Sequence, residues 1–304
     1  MMDNINIEKE STDARLIYTE SECDYVKDYY DFVRESISSI NLEKDLSLIG
    51  LNPFDSNSND FIFINYEHNL VHPSIPYYPP IVGNTTVIDN PTQNYLVRIE
   101  QLNHFLNCKY YIEYSNPNIQ NIKSCAHLDQ FNHKIIYMPP LLCDYSPESE
   151  LREEYDVVTS FYILNPDGRP RRKILHDVLT SEITKYYNIP KVFGDDLYKG
   201  IYKRSKILVN IHQTDHHHTF EELRVLPALL NGLIVIAEDS PLRQSIPYNE
   251  YIIWCKYEDI ASKTKEVLDD YQSFYDRIHG ESSGLKEIIL KMKEDLDIEL
   301  KKIS

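Results

Sequence analysis

One stretch of the chain, from Lys203 to Glu238, constrains the fold more than any other. Two apolar runs rich in valine and isoleucine, Ile207–Ile211 and Leu233–Ala237, are typical of buried strands. Between them lie a polar loop with four histidines and a helix predicted from Phe220 to Leu230. A strand, a loop, a helix and a second strand form the repeating unit of a parallel sheet. Ligands of such sheets bind beyond the carboxyl ends of the strands, so the loop 212–219 is the first place to expect a site.

The composition limits the class of protein. A chain of 304 residues suits two domains, and a hydrophobic fraction of 42% is enough for a packed core. A net charge of −17 argues against a nucleic-acid partner or an anionic membrane surface. No apolar run approaches the ~20 residues of a transmembrane span. The absence of GxGxxG and GxxxxGK[ST] argues against a dinucleotide-binding Rossmann enzyme and a P-loop NTPase.

The cysteines and the N-terminus bear on localisation. The five cysteines are scattered and odd in number, and none forms a CxxC pair. The first residues, MMDNINIEKESTDAR, are polar and acidic and do not have the pattern of a signal peptide. We therefore expect reduced thiols and a cytoplasmic protein.

Strands alternate with helices along the chain, which predicts two β/α domains. The first half has predicted strands at Phe61–Asn65, Lys109–Tyr114 and Lys134–Met138, predicted helices at 24–40, Tyr95–Asn107 and Asn118–Ala126, and a proline-rich loop over 72–91. The second half has predicted strands at Tyr155–Tyr162, Lys191–Phe193 and Tyr251–Cys255 beside the two already described, and helices at Arg171–Lys185, Asp195–Arg204 and Ile260–Asp276. The charged segment Ser146–Glu154 marks the boundary. We expect a first domain at 1–147, a second at 148–280, and an amphipathic helix in 281–304 that packs back on the first domain.

The predicted helix start carries the first candidate residues. Thr219 can cap the helix, and Glu221 and Glu222 lie in its first turn, where acidic residues are favourable. The backbone N–H groups of such a terminus form a ready phosphate site. The alternative is that these residues serve only the helix.

The histidine cluster has two interpretations. His212, Asp215 and His216 to His218 invite a metal site, but three adjacent histidines cannot all face one ion, and neither HExxH nor HxxEH is present. We favour polar residues that line a cleft, and no metal.

Four positive charges lie within five residues at the start of another predicted helix: Arg169, Arg171, Arg172 and Lys173. Arginine offers bidentate hydrogen bonds to phosphate, so this run could neutralise a diphosphate. The alternative is a solvated helix start. Because cations at a helix N-terminus oppose the helix dipole, a functional reason is favoured.

The polar segment Tyr66-Glu67-His68-Asn69 follows the FIFIN strand. A carboxylate and an imidazole at the carboxyl end of a strand are candidate general bases. The alternative is a loop whose polar side chains bond to the backbone. Cys125 and Cys143 have no convincing histidine partner in the sequence, so thiol catalysis is not expected.

Over about residues 155–275 the order of elements resembles the GT-B glycosyltransferases, which have two Rossmann-like domains facing a cleft. The segment DGRPRRK (167–173) resembles the place where that family sets basic residues on the donor diphosphate. The run HHHTFEELRVLPALLNGLIVIAED (216–239) is similar to the donor-site segment. Within it, RVLPALLNG (224–232) is similar to the R-x-F-E-A-x-x-x-G run of the spore-maturation-type branch, related to glycosyltransferase family 4. FIFINYEHN and KIIYMPP in the first half match more weakly.

The resemblance implies an α/β fold with two Rossmann-like domains, the N-terminal one reduced. It implies a metal-independent transferase that moves a sugar from a nucleoside-diphosphate sugar, of UDP or GDP type and with no other cofactor, to a hydroxyl of an unidentified glycan, lipid or protein. Glu67 or His68 would face that hydroxyl as the catalytic group. The donor-binding residues would be Arg169, Arg172, Lys173, His218, Thr219, Phe220, Glu221, Glu222, Arg224 and Glu238.

One motif departs from the family. The E-x7-E motif of the largest retaining group is absent, with Thr219 and Pro227 at the two glutamate positions, so Glu221, Glu222 or Glu238 would hold the ribose. Two alternatives therefore stay open. The first is a degenerate GT-B protein that binds a nucleotide sugar, a glycan or a protein without turnover. The second is a hydrolase or metal enzyme built on the histidines. The sequence leaves the oligomeric state open.

Overall fold

The computed structural model describes residues 15–18, 24–50, 60–73, 85–90, 94–148, 152–161, 163 and 170–303. Within these residues the chain forms two five-stranded parallel sheets and one three-stranded antiparallel sheet. Several predictions fall partly or wholly outside the described residues, among them Arg169 and most of the loop 72–91.

The first parallel sheet has the strand order β1-β2-β3-β7-β8. Its strands are β1 (Leu16–Tyr18), β2 (Leu46–Ile49), β3 (Phe61–Ile64), β7 (Tyr110–Glu113) and β8 (Ile135–Tyr137). All four residues of β3 are buried, because both faces of this central strand are covered. The helices of this domain are α1 (Asp24–Ser38), α2 (Leu102–Asn107) and α3 (Asn116–Lys123).

A small antiparallel sheet lies beside it, with the order β4-β6-β5. Its strands are β4 (Leu70–Val71), β5 (Thr86–Ile88) and β6 (Leu96–Ile99). The prediction of one helix over Tyr95–Asn107 is wrong in its first half, since β6 occupies that part and α2 begins only at Leu102. The apolar spacing fits a helix, but β6 has strand partners on both sides that the local pattern does not reveal.

The second parallel sheet has the order β10-β9-β11-β12-β13. Its strands are β9 (Tyr155–Thr159), β10 (Tyr186–Asn188), β11 (Ser205–Asn210), β12 (Ile234–Glu238) and β13 (Ile252–Cys255). The helices are α4 (Pro170–Glu182), α5 (Glu222–Leu230), α6 (Ile260–Asp269), α7 (Tyr271–His279) and α8 (Leu285–Leu300). The unit read from Lys203 to Glu238 is therefore present as β11, α5 and β12.

Three predicted elements of the second half differ from the structure. The strand predicted at Lys191–Phe193 lies instead at 186–188, because α4 ends at Glu182 and leaves room for a strand before Pro190. The helix predicted over Asp195–Arg204 is a π turn followed by a 3-10 turn. The helix predicted over Ile260–Asp276 is broken at Asp270, whose backbone leaves the helical region.

The last helix, α8, lies against the first domain. Its buried stripe contains Leu285, Ile289, Met292 and Leu296. Contacts of α8 with β8 and the Lys293–Asp144 ion pair, at 2.8 Å, connect it to that side of the molecule. The domain boundaries at 147/148 and 280/281 stay predictions.

The predicted fold class is confirmed: the protein is α/β, with two Rossmann-like parallel sheets that face each other across a cleft. In the described residues the first sheet has as many strands as the second, so the expected reduction of the N-terminal domain does not extend to its parallel strands. None of the helices in these ranges combines the length and apolarity needed to cross a membrane.

Candidate active site

A cavity of about 450 Å³ lies between the two domains. The loop after β3 lines it with Tyr66, Glu67 and His68, and the segments after β9, β10 and β11 line it from the other side. The carboxyl ends of both parallel sheets thus converge on one space. This is the position at which parallel sheets bind their ligands.

A contact between His68 and Glu221 joins the two domains in the lining of the cavity. His68 Nε2 lies 2.9 Å from Glu221 Oε1, and the two side chains are only 12% and 10% exposed. Arg224 approaches the other carboxylate oxygen at 3.8 Å. Burial acts to raise the pKa of Glu221, but the charges of His68, Arg224 and Arg172 outweigh it and hold that pKa well below its usual range. His68 Nδ1 is buried and has no hydrogen-bond partner in the described part of the chain.

Arg98, from β6, organises the first-domain wall. Its guanidinium donates to the carbonyl oxygen of His68 at 3.2 Å and to Glu67 Oε2 at 3.5 Å, and it also pairs with Glu100. Burial and the nearby Glu67 raise the pKa of Glu100. The carboxylates of Glu67 and Glu100 therefore share the buried Arg98 guanidinium, next to His68.

The second-domain wall carries cations. Arg172, in the first turn of α4, lines the cavity, is 2% exposed, and has its guanidinium 5.4 Å from the centroid of the Phe161 ring. Arg224, on α5, lines the same space. Lys173 lies outside the cavity, where its half-exposed amine pairs with Asp177 one turn along the helix. Arg172 therefore faces the cavity and Lys173 faces the solvent, because neighbouring residues of a helix point in different directions.

Glu238, predicted to bind the donor, instead contacts two residues of the second domain outside the cavity. Its carboxylate pairs with Arg171 and accepts a hydrogen bond from the backbone N–H of His212 at 2.9 Å. Burial acts to raise the pKa of Glu238, but His212 and Arg171 lower it overall. Neither Glu238 nor Arg171 lines the cavity.

The prediction that Thr219 caps the helix is wrong. Helix α5 begins at Glu222, and its N-cap residue, Glu221, makes no side-chain capping bond. The Thr219 hydroxyl instead donates to Asn118 Oδ1 at 2.7 Å and accepts from the backbone N–H of Leu70 at 3.1 Å. The Thr219 hydroxyl therefore hydrogen-bonds to a residue of the other domain and not to the backbone N–H groups at the start of α5.

Two more predicted donor-binding residues lie in the interior. Phe220 is fully buried against Trp254, with ring centroids 4.8 Å apart. Glu222 accepts hydrogen bonds from the Asn116 N–H, the Tyr137 hydroxyl and the Tyr248 hydroxyl, at 2.8, 2.9 and 2.9 Å. Burial raises the pKa of Glu222 to about 7. Glu222 joins the domains and does not line the cavity.

The histidine loop is connected to β4 of the first domain by one β-bridge and two flanking backbone hydrogen bonds. His217 forms a β-bridge with Val71, His72 N–H donates to the His216 carbonyl at 2.9 Å, and His218 N–H donates to the Leu70 carbonyl at 3.0 Å. Burial lowers the pKa of His217, and it lowers the pKa of His218 to about 4. His217 lines the cavity, as the cleft-lining interpretation expects, whereas His218 stacks on His212 with ring centroids 5.2 Å apart.

The cavity thus unites Glu67, His68, Arg172, Glu221 and Arg224 from the predicted set. Lys173, His218, Thr219, Phe220, Glu222 and Glu238 lie outside its lining, for the reasons given above.

Arg98, Glu100 and Lys191 also line the cavity, although they are not among the predicted site residues. An arginine within the apolar run LVRI was the available signal for Arg98, because a buried charge in a strand needs a reason. Lys191 has a φ of 69°, a left-handed conformation that is uncommon for a lysine. No local sequence pattern indicates that Lys191 lines the cavity.

No family model matches the chain. The uncharacterized protein R358 of Acanthamoeba polyphaga mimivirus is 26% identical over 235 residues, which cover 71% of this chain and 77% of R358.

Two solved structures resemble the fold at 11% identity. TarM has a TM-score of 0.49, and the match covers 85% of this chain and 54% of TarM. The GtfA/B complex has a TM-score of 0.45, with 84% of this chain and 57% of that one covered. The chain thus spans little more than half the length of either.

Proposed function

We propose that the protein is a GT-B glycosyltransferase whose interdomain cavity binds a nucleoside-diphosphate sugar of UDP or GDP type. It would transfer the sugar to a hydroxyl of a glycan, lipid or protein acceptor without a metal ion. The observation that carries the proposal is the arrangement in one cavity of a buried His68–Glu221 pair with Arg172 and Arg224 on the second-domain wall.

The cations would stabilise the leaving group. When the bond between the sugar and the diphosphate breaks, negative charge grows on the departing phosphate. Arg172 and Arg224 lie in the first turns of α4 and α5 and line the cavity, so they need little reorganisation to offset that charge. Arginine also matches the geometry of phosphate oxygens.

His68 would act as the general base. If its Nε2–H donates to Glu221, Nδ1 is the unprotonated ring nitrogen, and it would take the proton of the acceptor hydroxyl once acceptor binding uncovers it. The hydroxyl oxygen then bonds to the anomeric carbon as the nucleoside diphosphate departs. Glu67 fits this role less well because Arg98 already engages its carboxylate. Glu221 would hold the imidazole and stabilise its charged form, as the third group of a catalytic triad does.

Nucleotide binding tests the proposal with a matched pair of variants. UDP, GDP and their sugars are titrated by calorimetry into the wild type, Arg172→Ala and Lys173→Ala. A lost charge-assisted hydrogen bond costs about 1.5–3 kcal/mol, so Arg172→Ala should weaken the best nucleotide about 10–100-fold. Lys173→Ala removes the neighbouring charge outside the cavity and should change the Kd less than about twofold, a difference that calorimetry resolves. Equal losses in both variants, or none in either, would contradict the proposed site.

Binding without turnover is the second candidate. It is favoured by Thr219 and Pro227, which replace the two glutamates of the retaining group and are both buried away from the cavity. Measured nucleoside-diphosphate release decides between the two. Tight nucleotide binding with no release across a broad panel of acceptors would establish this candidate in place of the transferase.

A further inference from the structure

The loop that carries Glu67 and His68 rests on a buried carboxylate. Glu113, the last residue of β7, is fully buried. Its Oε1 accepts hydrogen bonds from the Ser115 backbone N–H and from Asn118 Nδ2, both at 3.0 Å. Its Oε2 accepts from Asn65 Nδ2 at 2.7 Å. Both side-chain amides are thereby oriented by one group.

The same two amides hold the backbone of residue 67. Asn65 Nδ2 donates to the Glu67 carbonyl at 3.0 Å, and Asn65 Oδ1 accepts from the Glu67 N–H at 3.2 Å. Asn118 Nδ2 donates to the Glu67 carbonyl at 3.2 Å. The peptide groups on both sides of Glu67 are therefore fixed, and one of them joins it to His68.

Asn118 also reaches the second domain. Its Oδ1 accepts from the Asn69 N–H at 3.2 Å and from the Thr219 hydroxyl at 2.7 Å. Thr219 ends the histidine loop, two residues before Glu221. The network thus connects both partners of the His68–Glu221 pair to Glu113.

We propose that Glu113 is a positioning residue for the transfer reaction: through Asn65 and Asn118 it sets the backbone of loop 65–69 and so aims His68 at the acceptor. This inference rests on the proposed function. Glu113 does not line the cavity and touches no substrate. A misplacement of about 1 Å at a reacting group can cost about 100-fold in rate, so such support has a measurable effect on turnover.

Kinetics of Glu113→Gln test the proposal. Burial raises the pKa of Glu113 to about 8, so the assay is run at pH 9, where the wild-type residue is ionised. The glutamine replaces one acceptor oxygen by an N–H group that faces another donor. The expected result is a fall in kcat of about 10–100-fold, with the donor KM and the nucleotide Kd within about twofold of wild type.

Measuring Glu113→Gln in the His68→Ala variant separates a positioning role from a general loss of folding or stability. If Glu113 acts through His68, adding Glu113→Gln to His68→Ala should lower the residual rate less than about twofold, because coupled residues are not additive. Asn65→Ser, which removes one of the bridging amides, should reproduce the loss in kcat and the same non-additivity. If Glu113→Gln folds poorly, the kinetics of Asn65→Ser test the proposal in its place.

Lys134→Met is the control. Lys134 is also a buried polar residue of the first domain, but it lies just before β8, at the amino ends of the strands, where its amine donates to the carbonyls of Leu106 and Cys108. It should lower stability and leave kcat near wild type.

Three results would overturn the positioning role alone: a wild-type kcat in Glu113→Gln, equal losses in both backgrounds, or an equal loss of kcat in Lys134→Met. Failure of the Arg172 titration, or absence of turnover in the wild type, would instead overturn the proposed function and this inference with it.

Discussion

Replacing Glu222 by alanine should weaken the contact between the two domains. The carboxylate of Glu222 is fully buried and accepts three hydrogen bonds. Two of the donors, the Asn116 N–H and the Tyr137 hydroxyl, belong to the first domain, and the Tyr248 hydroxyl belongs to the second. The alanine variant would leave all three without this acceptor.

The magnitude follows from those three donors. Each buried donor left unsatisfied costs about 1–3 kcal/mol, but the two hydroxyls can rotate toward other acceptors, so the costs do not add fully. The wild type also carries a desolvation penalty, since burial raises the pKa of Glu222 to about 7. Three unsatisfied donors that partly find other acceptors should cost about 3–5 kcal/mol in the free energy of unfolding of Glu222→Ala. Glu222→Gln, which keeps one acceptor oxygen and the side-chain volume, should lose about 1–2 kcal/mol.

Urea unfolding at pH 8, followed by circular dichroism and by Trp254 fluorescence, measures these losses. Tyr137→Phe and Tyr248→Phe serve as a matched pair, since each removes one hydroxyl from the same carboxylate, one across the domain contact and one within the second domain. Tyr137→Phe should broaden or split the transition more than Tyr248→Phe does, because separated domains unfold independently. A loss below about 1 kcal/mol for Glu222→Ala would refute the view that this group joins the domains.

Three further expectations follow from the structure. Gly232 has a φ of 83°, and a Cβ there would lie 2.3 Å from the Pro147 carbonyl oxygen, so Gly232→Ala should lower Tm by several degrees in a thermal melt; an unchanged Tm would contradict the close approach. The folded pKa of Glu113, about 8, exceeds its unfolded value of 4.5, so this residue's contribution to stability is lost as pH rises between those values. Urea unfolding at pH 6 and pH 9 should show the wild type losing stability relative to Glu113→Gln, and a constant difference would contradict the raised pKa. Transfer should be unaffected by excess chelator, and a loss restored by added Mg²⁺ or Mn²⁺ would contradict metal independence.

The regular second half could be predicted well from the sequence. Buried parallel strands such as β11 and β12 are continuous apolar runs, and Asn231-Gly232 marks the end of α5, so local pattern and fold agree. The prediction fails where a distant partner decides the structure. Leu96 to Ile99 have helical spacing, yet they form a strand because β4 and β5 pair with them from either side.

The candidate site shows the same division. The sequence indicates His68, Arg172 and Glu221, since each is a polar residue at the carboxyl end of a strand or at a helix start. It does not indicate which face of α4 meets the cavity, and so does not separate Arg172 from Lys173. Nor does the sequence predict that the Thr219 hydroxyl donates to Asn118 instead of capping the helix, because the two residues are 101 positions apart in the chain.

The most direct test of the account is the transfer reaction itself. Nucleoside-diphosphate release and the mass gain of the acceptor are measured together for the wild type, His68→Ala and Lys173→Ala. The account predicts one sugar transferred per nucleotide released in the wild type, a rate about 100–10,000-fold lower in His68→Ala, and a wild-type rate in Lys173→Ala. Turnover that survives the loss of His68, or a nucleotide that binds and is never released as the diphosphate, would contradict it.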